Sequence, residues 1–125
     1  MQELWLPIPE FPDYEVSNQG NVVKVTSRGR EPISQRWINS GKRGGVYKGF
    51  KVRDGTKLPS GAPKTTTMKT HVIVARLFIG PRPDGLVVMH LDDDKDRNMV
   101  SNLQYGTHKE NARLKRVNKG RRVAT

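Results

Sequence analysis

The sequence predicts an α+β fold, a small N-terminal β-hairpin region followed by a strand, a loop, a second strand and a helix. Three observations carry that expectation. Two short β-rich runs near the start, "YEVS" and "NVVKV", flank the tight-turn pair Gln19-Gly20 that follows Asn18. From Thr70 onward the apolar pattern changes period, first to the compact run "THVIVARLFIG" and then to "GLVVMH". Finally, Thr107 is followed three residues later by Glu110, a capping box in which each residue satisfies an orphan N–H of a helix start. A chain of 125 residues is near the size of one domain, so one compact unit with appended segments is expected.

Taken in order, residues 1–26 form the β module, with prolines punctuating an irregular start before the hairpin. Residues 27–69 are a basic, Gly-rich segment with strands expected around "GVYKGFKVR" and "KTTTMK", separated by the loop "DGTKLPSGAP". Residues 70–118 open with a buried helix of about two turns, ended by Gly80-Pro81, in which His71 shares a face with Val74, Ala75 and Phe78. "GLVVMH", bounded by Asp84-Gly85, and "SNLQYGT" then read as paired strands, and a helix runs from Thr107 to about Val117. On that helix Thr107, Asn111 and Leu114 form one stripe, so Leu114 packing inward turns Asn111 inward as well. Residues 119–125 are a basic tail.

Composition narrows the function classes. The chain has no cysteine, which excludes disulfides, zinc–thiolate centres and thiol nucleophiles and leaves nitrogen and oxygen as metal donors. The longest apolar run is interrupted by Arg76 and falls far short of a membrane span, and the start lacks signal-peptide character, so a cytoplasmic protein is expected. Twenty-three Lys and Arg against twelve acids give a formal charge of +11, which points to a polyanionic partner, most simply nucleic acid. Arg28, Arg30, Arg36, Lys42 and Arg43 in the middle segment, with Arg113, Lys115, Arg116, Lys119, Arg121 and Arg122 near the end, are the candidate phosphate contacts. Trp37 and Tyr47 are expected to pack in the small core, with stacking on sugars or bases as the alternative.

The order V-x-H, an acidic D-x-D-K-x-x-N loop, N-L-x-Y-G-T and then E-N resembles the HNH, or His-Me finger, endonucleases. "THVIVARLFIG" resembles the helix that precedes the finger in phage and intron-encoded members, and "WLPIPEFPDYEVSNQGNVVKV" a short NUMOD-like module at the N-terminus of homing-type enzymes. The resemblance covers residues 3–25 and 70–112 and implies a ββα-metal nuclease core that hydrolyses double-stranded DNA with Mg2+ or Mn2+, or another divalent ion. It further implies that His90 is the general base, that Asn102 braces the finger loop and orients that histidine, and that Asn111 binds the metal. His108, three residues before Asn111, lies within helical reach of the same ion.

Those residue types suit the chemistry. A neutral imidazole accepts a proton from water near pH 7, and an amide oxygen binds a hard cation without titrating. The pattern departs from the family at Met89, where many members place Asp, Asn or His as a further ligand, because a thioether is a poor partner for a hard ion. Asp92, Asp94 and Asp96 have the opening spacing of a calcium loop, but Arg97 and Leu103 stand where that loop needs Gly and Glu. They are expected to form a solvated loop, with Asp92 nearest His90. Two alternatives remain open at this point, a catalytically weakened or inactive DNA-binding module of the same fold and an RNA-binding structural protein. As an enzyme, a monomer is expected to nick and a homodimer to cut both strands.

Overall fold

The computed structural model describes residues 2–39 and 46–123, with the side chains of residue 115 and residues 117–123 outside that description. Lys42 and Arg43 therefore lie outside the described residues. The described residues build three antiparallel sheets and two helices. The first sheet is a four-stranded meander of β1 (Trp5–Ile8), β2 (Phe11–Ser17), β3 (Val22–Thr26) and β4 (Gly29–Pro32). The expected hairpin is its β2–β3 centre, but the start is not irregular: β1 pairs with β2 through Trp5–Ser17 and Leu6–Val16. The prolines are accommodated because this is an edge strand with a register break between Pro7 and Ile8.

The turn after β2 explains why "SNQGN" has those residues. Ser17 Oγ accepts the N–H of Gln19 and of Asn21 and donates to Glu3 at 2.7 Å. Asn18 Oδ1 accepts the N–H of Leu4 at 2.9 Å, and its amide nitrogen donates to the Gln2 carbonyl. Ser17 and Asn18 are both buried, and these bonds replace the water they have lost.

The second sheet is β5 (Arg36–Asn39), β6 (Val46–Val52) and β7 (Thr66–Lys69), in that order. Its outer strand β5 leaves Trp37 53% exposed, which corrects the expectation that Trp37 packs in the core. The main core joins Ile8, Tyr14, Val16 and Val22 of the first sheet to Phe50 and Val52 of the second and to Ile73 of helix α1 (Thr70–Phe78). Each such side chain contributes about 1.5–3 kcal/mol by leaving water.

The third sheet is the hairpin β8 (Val87–His90) and β9 (Leu103–Gly106), paired from Val87–Gly106 to His90–Leu103. A 3-10 turn, Val100–Asn102, leads into β9. Leu103 packs on Val74 and Ala75 of α1 in a second core cluster, and Tyr105 Oη donates to the Gly80 carbonyl at 2.8 Å. Helix α2 (His108–Val123) follows and runs six residues past the expected end near Val117, with no proline in the segment to stop it. The capping box forms as expected, with Glu110 N–H on Thr107 Oγ1 and Thr107 N–H on Glu110 Oε1, both at 3.1 Å.

Candidate active site

His90 ends β8 and is 6% exposed. Its Nε2 lies 2.6 Å from the amide oxygen of Asn98, itself 3% exposed. Because that oxygen can only accept, Nε2 carries the proton and Nδ1 keeps the lone pair. Burial holds the His90 pKa below its ordinary value, against the opposing pull of the Asn98 bond and Asp92, so the imidazole is neutral at pH 7.

Asn98 is a residue that the sequence reading missed as a partner of His90. Its one signal was its place as the last residue of the D-x-D-K-x-x-N loop. Asn102, expected to brace the loop and orient the histidine, makes its own bonds to the loop. It donates to Asp92 Oδ1 and to the Arg97 carbonyl, both at 2.9 Å, and accepts the Asp92 N–H at 3.2 Å. The amide that touches His90 is that of Asn98.

Asp92 completes this brace by pairing with Arg97 and accepting the N–H of Asp94. These partners hold its carboxyl below the usual range although burial pushes the other way. Asp93 takes φ 61°, the left-handed backbone that Asp tolerates better than most residues, and Asp96 pairs with Lys48 of the second sheet. The loop is thus internally bonded and anchored at both ends.

Beside His90 stands His71, with ring centroids 5.1 Å apart. His71 in turn stacks on Tyr47 at 4.6 Å, and Lys95 and Lys69 lie over the Tyr47 ring at 4.7 and 5.3 Å. His71 is 5% exposed, as a core histidine should be, yet its Nδ1 is buried without a hydrogen-bond partner. Burial, reinforced by His90 and the two lysines, pushes its pKa down to about 3.

Asn111 is half-buried and lines a cavity of about 390 Å³ with His71, His108, Tyr47, Lys69 and Arg82. Its N–H donates to the Thr107 carbonyl at 2.9 Å, in the first turn of α2 that the capping box closes. The lining thus combines the Asn111 amide and the His71 and His108 imidazoles with the cationic Lys69 and Arg82, and His90 is not part of it. Among the described residues no three His, Asp, Glu or Cys come together to hold a metal. That donor set fits a divalent ion that arrives with phosphate oxygens, and not one caged by the protein alone.

Met89 does not line this cavity. It is 4% exposed, and a Cβ on Gly106 would lie 2.5 Å from its Cε and 2.7 Å from its Sδ, so the side chain lies across a glycine that leaves room for it. It also borders a cavity of about 280 Å³ with Glu110, Arg113 and Leu114 of α2.

The candidate phosphate contacts divide by location. Arg113 and Arg116 are exposed on α2, while Lys115, Lys119, Arg121 and Arg122 lie on the same helix with side chains outside the description. Arg28 and Arg30 are exposed at the β3–β4 end of the first sheet, where Arg30 pairs with Glu15 and covers Trp5. Exposed Arg36 borders a groove of about 600 Å³ with Trp37, Lys51 and Arg53. No helix among the described residues is long and apolar enough to cross a membrane.

Comparison with known proteins agrees with this architecture. Residues 68–113 match the HNH endonuclease family, and residues 3–49 match the NUMOD4 motif. An uncharacterized HNH endonuclease of Acanthamoeba polyphaga mimivirus is 32% identical over 108 residues, covering 86% of this chain and 28% of the relative. The DNA endonuclease I-HmuI of Bacillus phage SP01 is 34% identical over 98 residues, covering 78% of this chain and 48% of the relative. The chain thus spans half or less of these two relatives. A solved structure described as DNA binding and cleavage by the HNH homing endonuclease I-HmuI superimposes with a TM-score of 0.69 at 28% identity, covering 97% of this chain and 66% of that one. With both matches in sequence order on a matching fold, residues 68–113 belong to the HNH endonuclease family and residues 3–49 carry a NUMOD4 motif.

Proposed function

We propose that this protein is a divalent-metal-dependent endonuclease that hydrolyses phosphodiester bonds of double-stranded DNA in the cytoplasm of its host cell. The observation that carries the reading is the neutral, buried His90, held through Nε2 by Asn98 inside the segment that matches the HNH family. In this reading His90 Nδ1 takes a proton from water as the water oxygen bonds to phosphorus, and a P–O ester bond breaks on the far side. Asn102 keeps the loop closed through Asp92 and Arg97.

Asn111, with His108 beside it on α2, would hold a divalent ion, Mg2+ or Mn2+, together with phosphate and water oxygens. When bound, such an ion supplies positive charge at the leaving oxygen. Lys69 and Arg82 at the cavity rim, Arg113 and Arg116 on α2, and Arg28, Arg30 and Arg36 on the sheets attract and register the duplex. The remaining basic residues, Lys42, Arg43, Lys115, Lys119, Arg121 and Arg122, add to the same field.

A second reading, a catalytically weakened DNA-binding module, is favoured by Met89, which occupies the ligand position and is committed to packing over Gly106. Incubation of supercoiled plasmid with the pure protein and Mg2+ or Mn2+ separates the two. The nuclease reading expects nicked or linear product that His90→Ala abolishes, and the module expects binding with no product.

A further inference from the structure

The segment that matches NUMOD4 contains a turn that touches the loop holding His90. Gly20 takes φ +85°, and a Cβ built there would lie 3.0 Å from both the carbonyl carbon and the oxygen of Asn98, and 3.1 Å from its Cβ. Two residues back, the Asn18 carbonyl accepts the N–H of Val100 at 2.8 Å, so the turn clasps the loop on either side of Met99. Asn98 is the residue whose side chain holds His90 Nε2.

A second set of contacts leads from the same turn to His71, the ring beside His90. Gln35 Nε2 donates to the Gly20 carbonyl at 3.0 Å, and Gln35 Oε1 accepts the Thr70 hydroxyl at 2.7 Å. Thr70 is fully buried at the start of α1, immediately before His71, whose ring lies against His90.

From these contacts we infer that the Asn18–Gly20 turn is a positioning element for His90. The N-terminal sheet, on this view, completes the catalytic unit in addition to presenting Arg28 and Arg30 to the duplex. The physical reason lies in the Asn98 contacts. Its amide must present the oxygen to His90 within a few tenths of an ångström, and a loop braced on one side by Asn102 needs a surface on the other. Gly20 supplies that surface because no side chain intervenes. The inference rests on His90 being the base, as proposed above.

The test uses the full chain. Gly20→Asn inserts a Cβ against Asn98 while keeping a residue that tolerates left-handed backbone. Gln35→Ala withdraws support from the turn without crowding anything, and serves if Gly20→Asn does not fold. Three quantities are read: kcat for plasmid cleavage, Kd for a DNA duplex, and the ¹⁵N shifts of the His90 ring, which report its tautomer. The expected result is a kcat at least tenfold lower for Gly20→Asn, a smaller loss for Gln35→Ala, Kd within twofold of wild type, and a His90 ring no longer fixed as the Nε2–H tautomer. In addition, Gly20→Asn combined with Asn98→Ala should be no slower than Asn98→Ala alone, since both act through one amide.

The inference is overturned if the His90 tautomer is unchanged in the folded variants, if the two losses multiply, or if Kd weakens while kcat holds. If wild type cuts nothing with any divalent ion, the nuclease reading fails by itself, and the His90 ring shifts still decide whether the turn positions that histidine.

Discussion

His90 and Asn98 form a buried pair in which a ring N–H meets an amide oxygen at 2.6 Å, eight residues apart across the finger loop. The pair fixes three properties of the imidazole together: which nitrogen carries the proton, which keeps the lone pair, and where that lone pair points. A histidine at the end of a two-stranded ribbon has no neighbouring strand to do this, so the loop that follows must supply the partner. Leaving either member without the other would cost about 1–3 kcal/mol as an unpaired buried polar group.

Substituting the two members should therefore have unequal effects. His90→Ala is expected to lower plasmid cleavage by about 10²- to 10⁴-fold, the range lost with a general base. Asn98→Ala should retain the base but free its ring, with a loss of about 10- to 100-fold. Duplex affinity should be unchanged in both, because neither residue carries charge at pH 7. Equal losses in the two variants would mean that Asn98 does more than orient the ring.

A pH-dependent stability follows from His71. Its pKa in the folded protein is pushed down to about 3 from an ordinary 6.5, so as pH falls below 6.5 the unfolded chain takes up a proton that the folded chain refuses. Stability from this group is thus fully present above pH 6.5 and is lost progressively on acidification toward pH 3. At pH 5 the loss is about 2 kcal/mol at roughly 1.4 kcal/mol per unit. The His90 pKa is also lowered and adds to the loss with the same sign. His71→Phe keeps an aromatic ring between Tyr47 and His90 and removes one of the two titrations. Urea unfolding at pH 7 and pH 5 should show a smaller difference for that variant than for wild type.

Much of this was legible in the sequence where local chemistry dictates structure. The capping box at Thr107 and Glu110, the hairpin turn at Gly20, and the β-branched run ending in His90 each state their own geometry. Partners far apart in sequence were not legible. Nothing local to Tyr47 says that it stacks on His71, since that contact depends on how the second sheet seats α1. Asn98 looked like one more polar loop residue, and its role depends on the loop folding back over β8. Trp37 was expected to pack because tryptophan usually does. Its exposure follows from lying on the outer strand of a three-stranded sheet.

Duplex binding should be strongly salt-dependent. With about 6–10 phosphate contacts, affinity is expected to fall by about 10³- to 10⁵-fold between 50 and 200 mM salt. Deleting residues 113–125 removes Arg113, Arg116 and the basic residues beyond them, and should lower affinity and flatten that dependence. A truncated protein with the same slope as the full chain would show that the sheets, with Arg28, Arg30 and Arg36, carry the phosphate contacts without the helix.

The sharpest prediction concerns Met89, because two of its roles pull in opposite directions. As a buried side chain lying over Gly106, it stabilises the hairpin, and Met89→Asp should cost about 2–5 kcal/mol through lost packing and a partly buried carboxylate. At the position directly before His90, where the resemblance to HNH nucleases implies a metal ligand, the same carboxylate would supply a hard oxygen donor. The variant should therefore melt at lower temperature than wild type without divalent ion and recover part of the difference in Mn2+, by about 2.7 kcal/mol once the ion exceeds its dissociation constant a hundredfold. Wild type should show little such shift in the absence of DNA, since the described residues hold no cluster of metal-binding side chains. Cleavage by Met89→Asp should begin at lower metal concentration than cleavage by wild type, and that gain should vanish when His90→Ala is added, because the ion polarises the phosphate but the base must still take the proton. A variant that gains metal-dependent stability without any cleavage would assign the natural protein to binding alone. One that gains neither would show that the position before His90 does not face the metal in this chain.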